Sequence, residues 1–213
     1  MAGPTENDAE QAKEFLRFLE ERRQVRNFSA RTPSREVLEL ILQAAATPPF
    51  WSGAPAWRLV AVDDPEVLAK IRKAATTGIL NKINFWIQRA PALVVGCVKA
   101  GGFSLRRLNA PVQAIDTALA LERLSLMAHQ LGLGTAVLAA FDERAVRRAC
   151  QVPSGWRALA LLAVGYPAGE KEAVLGLPII EDFGQYYDLL RAKQERKSSV
   201  PARPAISYNR FAP

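Results

Sequence analysis

Histidine and cysteine are scarce in this chain, and their scarcity excludes several kinds of site. The 213 residues include one histidine, His129, and two cysteines, Cys97 and Cys150. Zinc-protease motifs need more than one histidine, and a Ser-His-Asp or Cys-His pair would have to use His129. The cysteines are 53 residues apart, which fits neither a disulfide framework nor a zinc site. We expect packing roles for the cysteines, a packed or solvated helix-end position for His129, no metal, and no catalytic side chain, so that any chemistry would belong to a bound cofactor.

Long apolar runs are also absent. The run from Ala90 to Val98 has nine residues, against about 20 for a membrane span. The first ten residues carry Glu6, Asp8 and Glu10 with no apolar stretch behind them, unlike a secretory signal. Hydrophobic residues make up 49% of the chain and charged residues 23%, which is ordinary globular composition. These features predict a cytoplasmic protein without a membrane partner, folded as a single domain over residues 1–213.

The charge is unbalanced, with 28 Lys and Arg against 21 Asp and Glu and a formal net charge of +7. Cations cluster at Arg22, Arg23 and Arg26 and again in residues 191–213. A basic chain attracts the phosphates of small cofactors as well as nucleic acid. Because no aromatic RNA-binding motif, zinc finger or heptad accompanies the cations, we do not expect a nucleic-acid partner. Binding of an anionic polymer through residues 191–213 remains a weaker alternative.

Apolar periodicity predicts an α+β protein with a mixed sheet. Helices are predicted for residues 7–23, 33–46, 65–75, 79–88, 111–131 and 142–150, and strands for 57–62, 92–98, 135–139 and 157–164. The first two helices are predicted to start at a capping box of Asn7 and Glu10 and at Thr32-Pro33. The helix of residues 111–131 is apolar around much of its circumference, which predicts burial in the core or against a partner subunit. Residues 170–213 read as an extended tail in which only Phe183 to Arg196 looks helical.

Gly132-Leu133-Gly134 begins like a dinucleotide-binding fingerprint. The segment follows a helix and precedes a strand, however, which is the reverse of the strand–turn–helix order that such a site requires. We interpret it as the glycine end of a long helix.

Two adjacent guanidinium groups at Arg22 and Arg23, with Arg26 three residues on, could clamp a phosphate and a second anionic group, or could form a solvated helix end. The motif Arg22-Arg23-x-Val25-Arg26-x-Phe28 is followed by further blocks in a fixed order. These are Ala56-Trp57-Arg58-Leu59-Val60, Ile115-Asp116, Leu131-Gly132-Leu133-Gly134-Thr135, Phe141-Asp142-Glu143, Val152-Pro153 and Val164-Gly165-Tyr166-Pro167. Together the blocks resemble the FMN-dependent nitroreductase family.

The resemblance implies a three-layer nitroreductase-like fold, with a mixed, mainly antiparallel sheet flanked by helices. It also implies an obligate homodimer with two FMN sites at the subunit interface. The helix of residues 111–131 would form the dimer core, and the C-terminal tail of residues 170–213 would wrap the partner subunit.

The resemblance further assigns cofactor-binding residues. Arg22, Arg23 and the C-terminal Arg203 would hold the FMN phosphate, with Gln24 at the place of a phosphate-binding serine. Arg26 would face the pyrimidine edge of the flavin, where a guanidinium stabilises the negative charge of the reduced ring and raises its reduction potential. The backbone of Ala139 and Ala140 would approach flavin N5.

The chain departs from the family pattern in the loop of residues 49–57. Phe50, Gly53 and Pro55 stand where the family often has serine, asparagine and glutamine, so several polar contacts to FMN are absent. Gly53 remains assigned to the cofactor. Phe50 and Trp51 are assigned to the substrate pocket, where they would form either a stacking wall or hydrophobic filler. The family's mid-chain polar contacts have three candidates, which are Thr76, Thr77 and Asn81.

The resulting expectation is an FMN-dependent oxidoreductase. NADH or NADPH would reduce FMN and leave before a small electron-poor acceptor, a nitroaromatic or a quinone, takes its place, which predicts ping-pong kinetics. The rebuilt loop keeps two alternatives open. One is a flavin-binding or flavin-less protein of this fold without turnover, and the other is a specialised oxygen-dependent flavin chemistry.

Overall fold

Helices and strands alternate along most of the chain. The computed structural model describes residues 5–47, 57–100, 112–168 and 206–211. The helices are α1 (Glu6–Glu21), α2 (Arg35–Ala45), α3 (Pro65–Ala75), α4 (Asn81–Asn84), α5 (Val112–Gln130) and α6 (Glu143–Ala149), with 3₁₀ turns at Gly78–Leu80 and Phe85–Arg89. The strands are β1 (Trp57–Val62), β2 (Ala92–Lys99), β3 (Gly134–Leu138), β4 (Trp156–Gly165) and β5 (Ile206–Tyr208).

Capping residues set where the helices begin. The carboxylate of Asp64 accepts hydrogen bonds from the backbone N–H groups of Glu66 and Val67 at 3.0 and 2.9 Å, and Pro65 opens α3 as predicted. Asp142 caps α6 in the same way by accepting from Ala145 N at 3.0 Å. Both helices therefore begin where their sequence signals place them.

Two predicted helix starts are wrong by one or two residues. The capping box of α1 consists of Thr5 and Asp8 rather than Asn7 and Glu10. The cap of α2 is Ser34, whose hydroxyl accepts from Val37 N at 3.4 Å, rather than Thr32. In both cases another residue with a capping side chain lies close to the predicted one, and the turn geometry decides between them.

Within the described residues the strands form one sheet in the order β3-β4-β2-β1-β5. The pairs β3–β4, β4–β2 and β2–β1 are antiparallel, whereas β1–β5 is parallel. This confirms the predicted mixed, mainly antiparallel sheet. Strand β5 was not predicted, and it pairs with β1 of the same chain. The wrapping of a partner by the tail stays a prediction, and the helix predicted for Phe183 to Arg196 lies outside the described residues.

Helices cover both faces of the sheet. The buried residues of α2 and α5 pack on one face, and those of α3 and α6 pack on the other. The central strand β2 is buried on both faces, as its continuous apolar sequence predicts. A Cβ at Gly96 of β2 would lie 2.9 Å from Cγ2 of Thr117, so the missing side chain lets α5 approach the strand closely.

Two helices present apolar side chains away from the sheet. No residue of α1 is buried, and Phe15 is 58% exposed beside the exposed Leu16. On α5, Ile115 and Leu119 lie one turn apart and are 47% and 43% exposed. The apolar side chains Phe15 and Leu16 of α1 are therefore largely uncovered within the single chain. Among the described helices none is both long and apolar enough to cross a bilayer.

Candidate functional site

The cationic segment of residues 22–26 lies beside the edge strand β3. Val25 N donates a hydrogen bond to the carbonyl of Thr135 at 2.8 Å, and Gln24 forms a parallel bridge with the same residue. A Cβ at Gly134 would overlap the Val25 side chain and would lie 2.7 Å from its Cγ1. The glycine at the start of β3 therefore makes room for Val25, which anchors the segment. Gly132 ends α5 with a φ of +72°, as the helix-end interpretation predicts.

The arginines of this segment have different surroundings. The guanidinium of Arg22 lies 3.2 Å from a carboxylate oxygen of Glu122 on α5 and is partly buried. The guanidinium carbon of Arg26 lies 5.7 Å from the centre of the Trp86 ring, and among the described carboxylates none is within ion-pair distance of it. Arg23 and Gln24 are exposed. The segment thus presents several cationic or polar side chains to solvent from one extended stretch of backbone.

The end of β3 lies close to the same group of residues. Ala139 and Ala140 are exposed and connect β3 to the capped start of α6. Beneath them, the side chain of Asn84 donates hydrogen bonds to the carbonyls of Ala140 at 2.8 Å and Ala75 at 2.9 Å. Trp86, which contacts Arg26, lies two residues after Asn84. The segment formed by α4 and the following 3₁₀ turn therefore contacts both Arg26 and the end of β3.

The three mid-chain candidates, Thr76, Thr77 and Asn81, have no such contact with Arg26 or with the end of β3. The hydroxyls of Thr76 and Thr77 donate to helix carbonyls of α3 at 2.8 and 2.7 Å, and Asn81 is exposed. The sequence interpretation missed Asn84. A signal was available, because Asn84 is the one polar residue in the run Ile83-Asn84-Phe85-Trp86-Ile87.

The structure brings together one part of the predicted site. Four of the predicted residues lie beside β3, and the end of this strand leads to Ala139 and Ala140. The four are Arg22, Arg23, Gln24 and Arg26. The remaining predicted residues lie outside the described residues, namely Phe50, Trp51, Gly53 and Arg203.

The cysteines and the histidine do not form a reactive centre. Burial raises the pKa of the Cys97 and Cys150 thiols to about 12, so both are protonated at neutral pH. His129 is 3% exposed, its ring lies 4.9 Å from that of Phe18, and burial lowers its pKa. In the part of the chain that the structure describes, no group of three His, Cys, Asp or Glu residues could hold a metal ion.

These observations fit a phosphorylated organic cofactor. Guanidinium groups are suited to phosphate recognition, and backbone N–H groups are neutral donors that can contact a ring without adding charge. No described acceptor receives the backbone N–H groups of Ala140 and Phe141. The donors at the end of β3 therefore remain available to a ligand.

Known proteins share both sequence and fold with this chain. The profile of the nitroreductase family matches residues 19–166. The chain is 29% identical over 164 residues to a protein provisionally named NADH dehydrogenase/NAD(P)H nitroreductase from Archaeoglobus fulgidus, covering 75% of this chain and 89% of that protein. It is 30% identical over 178 residues to iodotyrosine deiodinase from Haliscomenobacter hydrossis, covering 73% and 80%. It is also 30% identical over 174 residues to 5,6-dimethylbenzimidazole synthase from Rhodobacter capsulatus, covering 72% and 82%.

Solved structures agree with these relationships. A nitroreductase family protein from Clostridium novyi NT superposes with a TM-score of 0.67 at 20% identity, covering 92% of this chain and 94% of that one. An FMN-dependent nitroreductase from Clostridium difficile R20291 superposes with a TM-score of 0.60 at 27% identity, covering 73% and 89%. The predicted three-layer fold is confirmed, and the chain belongs to the nitroreductase family.

Proposed function

We propose that this oxidoreductase is an FMN-dependent enzyme that takes hydride from NADH or NADPH and reduces a small electron-poor acceptor, a nitroaromatic or a quinone. The observation that carries the proposal is the cationic segment of residues 22–26, held on the edge of β3. The strand is followed by two backbone N–H groups that have no acceptor among the described residues. When bound, FMN supplies the hydride-accepting and hydride-donating chemistry in two alternating half-reactions, from which ping-pong kinetics follow.

Arg22 and Arg23 would bind the FMN phosphate. Arg22 already contacts Glu122 at 3.2 Å, but a guanidinium has five N–H donors and can hold a carboxylate and a phosphate together. The pairing restricts the rotamers of Arg22 before a ligand arrives, which reduces the entropy lost on binding. Gln24 would donate from its amide, and Arg203 would complete the phosphate site.

Arg26 would bind the pyrimidine edge of the flavin. Its contact with the Trp86 ring holds the guanidinium near the protein surface, and no described carboxylate neutralises it. A positive charge at this place stabilises negative charge that develops on the reduced ring. The side chain would therefore raise the reduction potential without taking part in proton transfer.

We further propose that the functional unit is a homodimer. The exposed apolar side chains of α1 and α5, such as Phe15, Leu16, Ile115 and Leu119, would be buried by a second copy of the chain. Exposed apolar patches of this kind are typical of protein–protein interfaces. Sedimentation at micromolar concentration should show a species of twice the chain mass, and Leu119→Glu should shift it toward the monomer.

A second candidate is an oxygen-dependent flavin chemistry on the same fold. The altered sequence of residues 49–57 favours a specialised activity of this kind. Rapid reoxidation of the reduced protein by oxygen, with no turnover of quinones or nitroaromatics, would support it.

The first experiment is an absorbance spectrum of the purified protein with and without FMN, followed by anaerobic addition of NADH or NADPH. A flavin band that bleaches on addition of either nucleotide supports the proposal. A protein that binds no FMN even in excess would contradict it and favour a member of the fold without turnover.

Two matched arginine variants test the site. Arg26→Ala removes an exposed guanidinium that lies near an aromatic ring, and Arg31→Ala removes another, 4.0 Å from the centre of the Tyr166 ring. Loss of a charge-assisted contact costs about 1.5–3 kcal/mol, so Arg26→Ala should weaken FMN binding about tenfold or more. Arg31→Ala should leave it unchanged. Equal FMN affinity in all three proteins would show that Arg26 does not contact the cofactor.

A further inference from the structure

Asn84 is a buried amide that makes two long-range hydrogen bonds. It is 3% exposed, and the neighbouring Trp86 and Ile87 are also buried. Its Nδ2 donates to the carbonyls of Ala75 and Ala140, which are 9 and 56 residues away along the chain. Both N–H groups of the amide are thus used, as the burial of a polar group requires. No other residue type of this size could donate twice without carrying a charge.

The bond to Ala140 fixes the direction of a peptide group. In a trans peptide the carbonyl and the following N–H point in opposite directions. Because the Ala140 carbonyl points toward the buried Asn84, the N–H of Phe141 points away from Asn84. This N–H has no described acceptor, so it is left free to donate to a ligand.

A second hydrogen bond holds the other end of the same turn. Asp142 N donates to the carbonyl of Ala74 at 3.0 Å, in the last turn of α3. Asn84 joins Ala140 to the adjacent carbonyl of that turn, Ala75. The turn of residues 140–142 is therefore attached to α3 at both ends, and the peptide between Ala140 and Phe141 cannot rotate without breaking the Asn84 bond.

A purely structural role would need only one of the two hydrogen bonds that Asn84 makes. To join α4 to α3, the bond from Asn84 to Ala75 is sufficient. The second bond reaches across the fold to the turn after β3, beside the cationic segment of residues 22–26. We propose that Asn84 is a positioning residue, which sets the direction of the backbone N–H of Phe141 toward the flavin ring. This inference rests on the proposed function.

The test compares Asn84→Ala with Gln88→Ala. The Gln88 amide lies one turn later and is exposed. It donates to Thr76 Oγ1 at 3.0 Å and to the Arg72 carbonyl at 3.5 Å, so its removal deletes hydrogen bonds to the C-terminal end of α3 without touching Ala140. Three quantities are measured for each protein: the thermal unfolding midpoint without FMN, the Kd for FMN by fluorescence quenching, and the visible spectrum of bound FMN. Hydrogen exchange of the Asp142 amide, which is bonded to the Ala74 carbonyl, gives a readout without FMN.

Asn84→Ala should bind FMN about tenfold more weakly, with a changed visible spectrum and faster exchange of the Asp142 amide. Gln88→Ala should match the wild type in all of these. If Asn84→Ala lowers only the unfolding midpoint, with the Kd and spectrum of the wild type, the residue is structural and the inference is wrong. Should Asn84→Ala fail to fold, Asn84→Ser keeps one donor and is assessed by the same criteria.

The two proposals fail in different ways. Wild-type protein that binds no FMN at any concentration overturns the proposed function, and with it a role of Asn84 toward the flavin. Wild-type protein that binds FMN, together with an unchanged Asn84→Ala variant, overturns the role of Asn84 alone.

Discussion

Replacing Gly134 with alanine should loosen the cationic segment of residues 22–26 from the sheet. The added Cβ would overlap the Val25 side chain, with Cγ1 only 2.7 Å away, whereas real Cβ contacts are rarely below 3.0 Å. Val25 is buried, and its N–H donates to Thr135 at 2.8 Å, so the residue that must move is also the anchor of the segment.

Val25 can respond to the added Cβ in two ways that cost similar free energy. If Val25 stays in place, the strain of overpacking costs about 1–3 kcal/mol. If Val25 leaves, the chain loses one hydrogen bond worth about 1 kcal/mol and the burial of a valine side chain worth about 2 kcal/mol. We therefore expect the free energy of unfolding to fall by about 2–3 kcal/mol, with a substantial population in which the segment is detached.

Urea unfolding at fixed protein concentration measures the free energy, and limited trypsin digestion under native conditions measures detachment. Trypsin cleaves after arginine, so detachment should speed cleavage at Arg22, Arg23 and Arg26. Gly96→Ala is the matched control, because its Cβ would lie 2.9 Å from Thr117 Cγ2 on the other side of the sheet. It should lower stability without faster cleavage in the segment.

Two results would refute this reasoning. Wild-type stability in Gly134→Ala would show that Val25 can move at no cost. Equal rates of cleavage in Gly134→Ala and Gly96→Ala would show that the contact between Gly134 and Val25 does not hold the segment on β3.

Two further predictions concern pH and the C-terminal strand. Burial lowers the pKa of His129 below its usual 6.5, so the unfolded chain binds the proton more readily than the folded chain. The stability that the neutral ring contributes is therefore fully present above pH ~6.5 and falls as the pH drops below that value. His129→Leu should flatten the dependence of the unfolding free energy on pH below about 6.5, and an unchanged slope in urea titrations would contradict this. Asn209 accepts from the N–H groups of Asp63 and Asp64 at 3.1 and 3.0 Å and donates to the Asp63 carboxylate at 2.9 Å. Asn209→Ala should therefore cost about 1–3 kcal/mol and speed hydrogen exchange in β5, and exchange at the wild-type rate would show that these bonds do not hold the strand.

Local signals in the sequence determined most of the elements. Asp64-Pro65 and Asp142 supply caps that need only the neighbouring turn, so α3 and α6 begin where they were predicted. The positive φ of Gly132 likewise follows from a helix that must end before a strand. Such interactions join residues that are close along the chain, and they can be predicted without knowledge of the rest of the fold.

The candidate site depended partly on the tertiary structure. The cluster at residues 22–26 was visible as a charge pattern, but its place on β3 depends on the fit of Val25 against Gly134, more than 100 residues away. The sequence contains an apolar stretch with one asparagine, yet only the fold shows that Asn84 reaches Ala140. Strand β5 is three residues long and pairs with β1 across most of the chain, so no local periodicity could indicate it. Contacts between distant segments depend on how complete helices and strands pack together, and that packing is decided by the whole chain rather than by any one stretch of it.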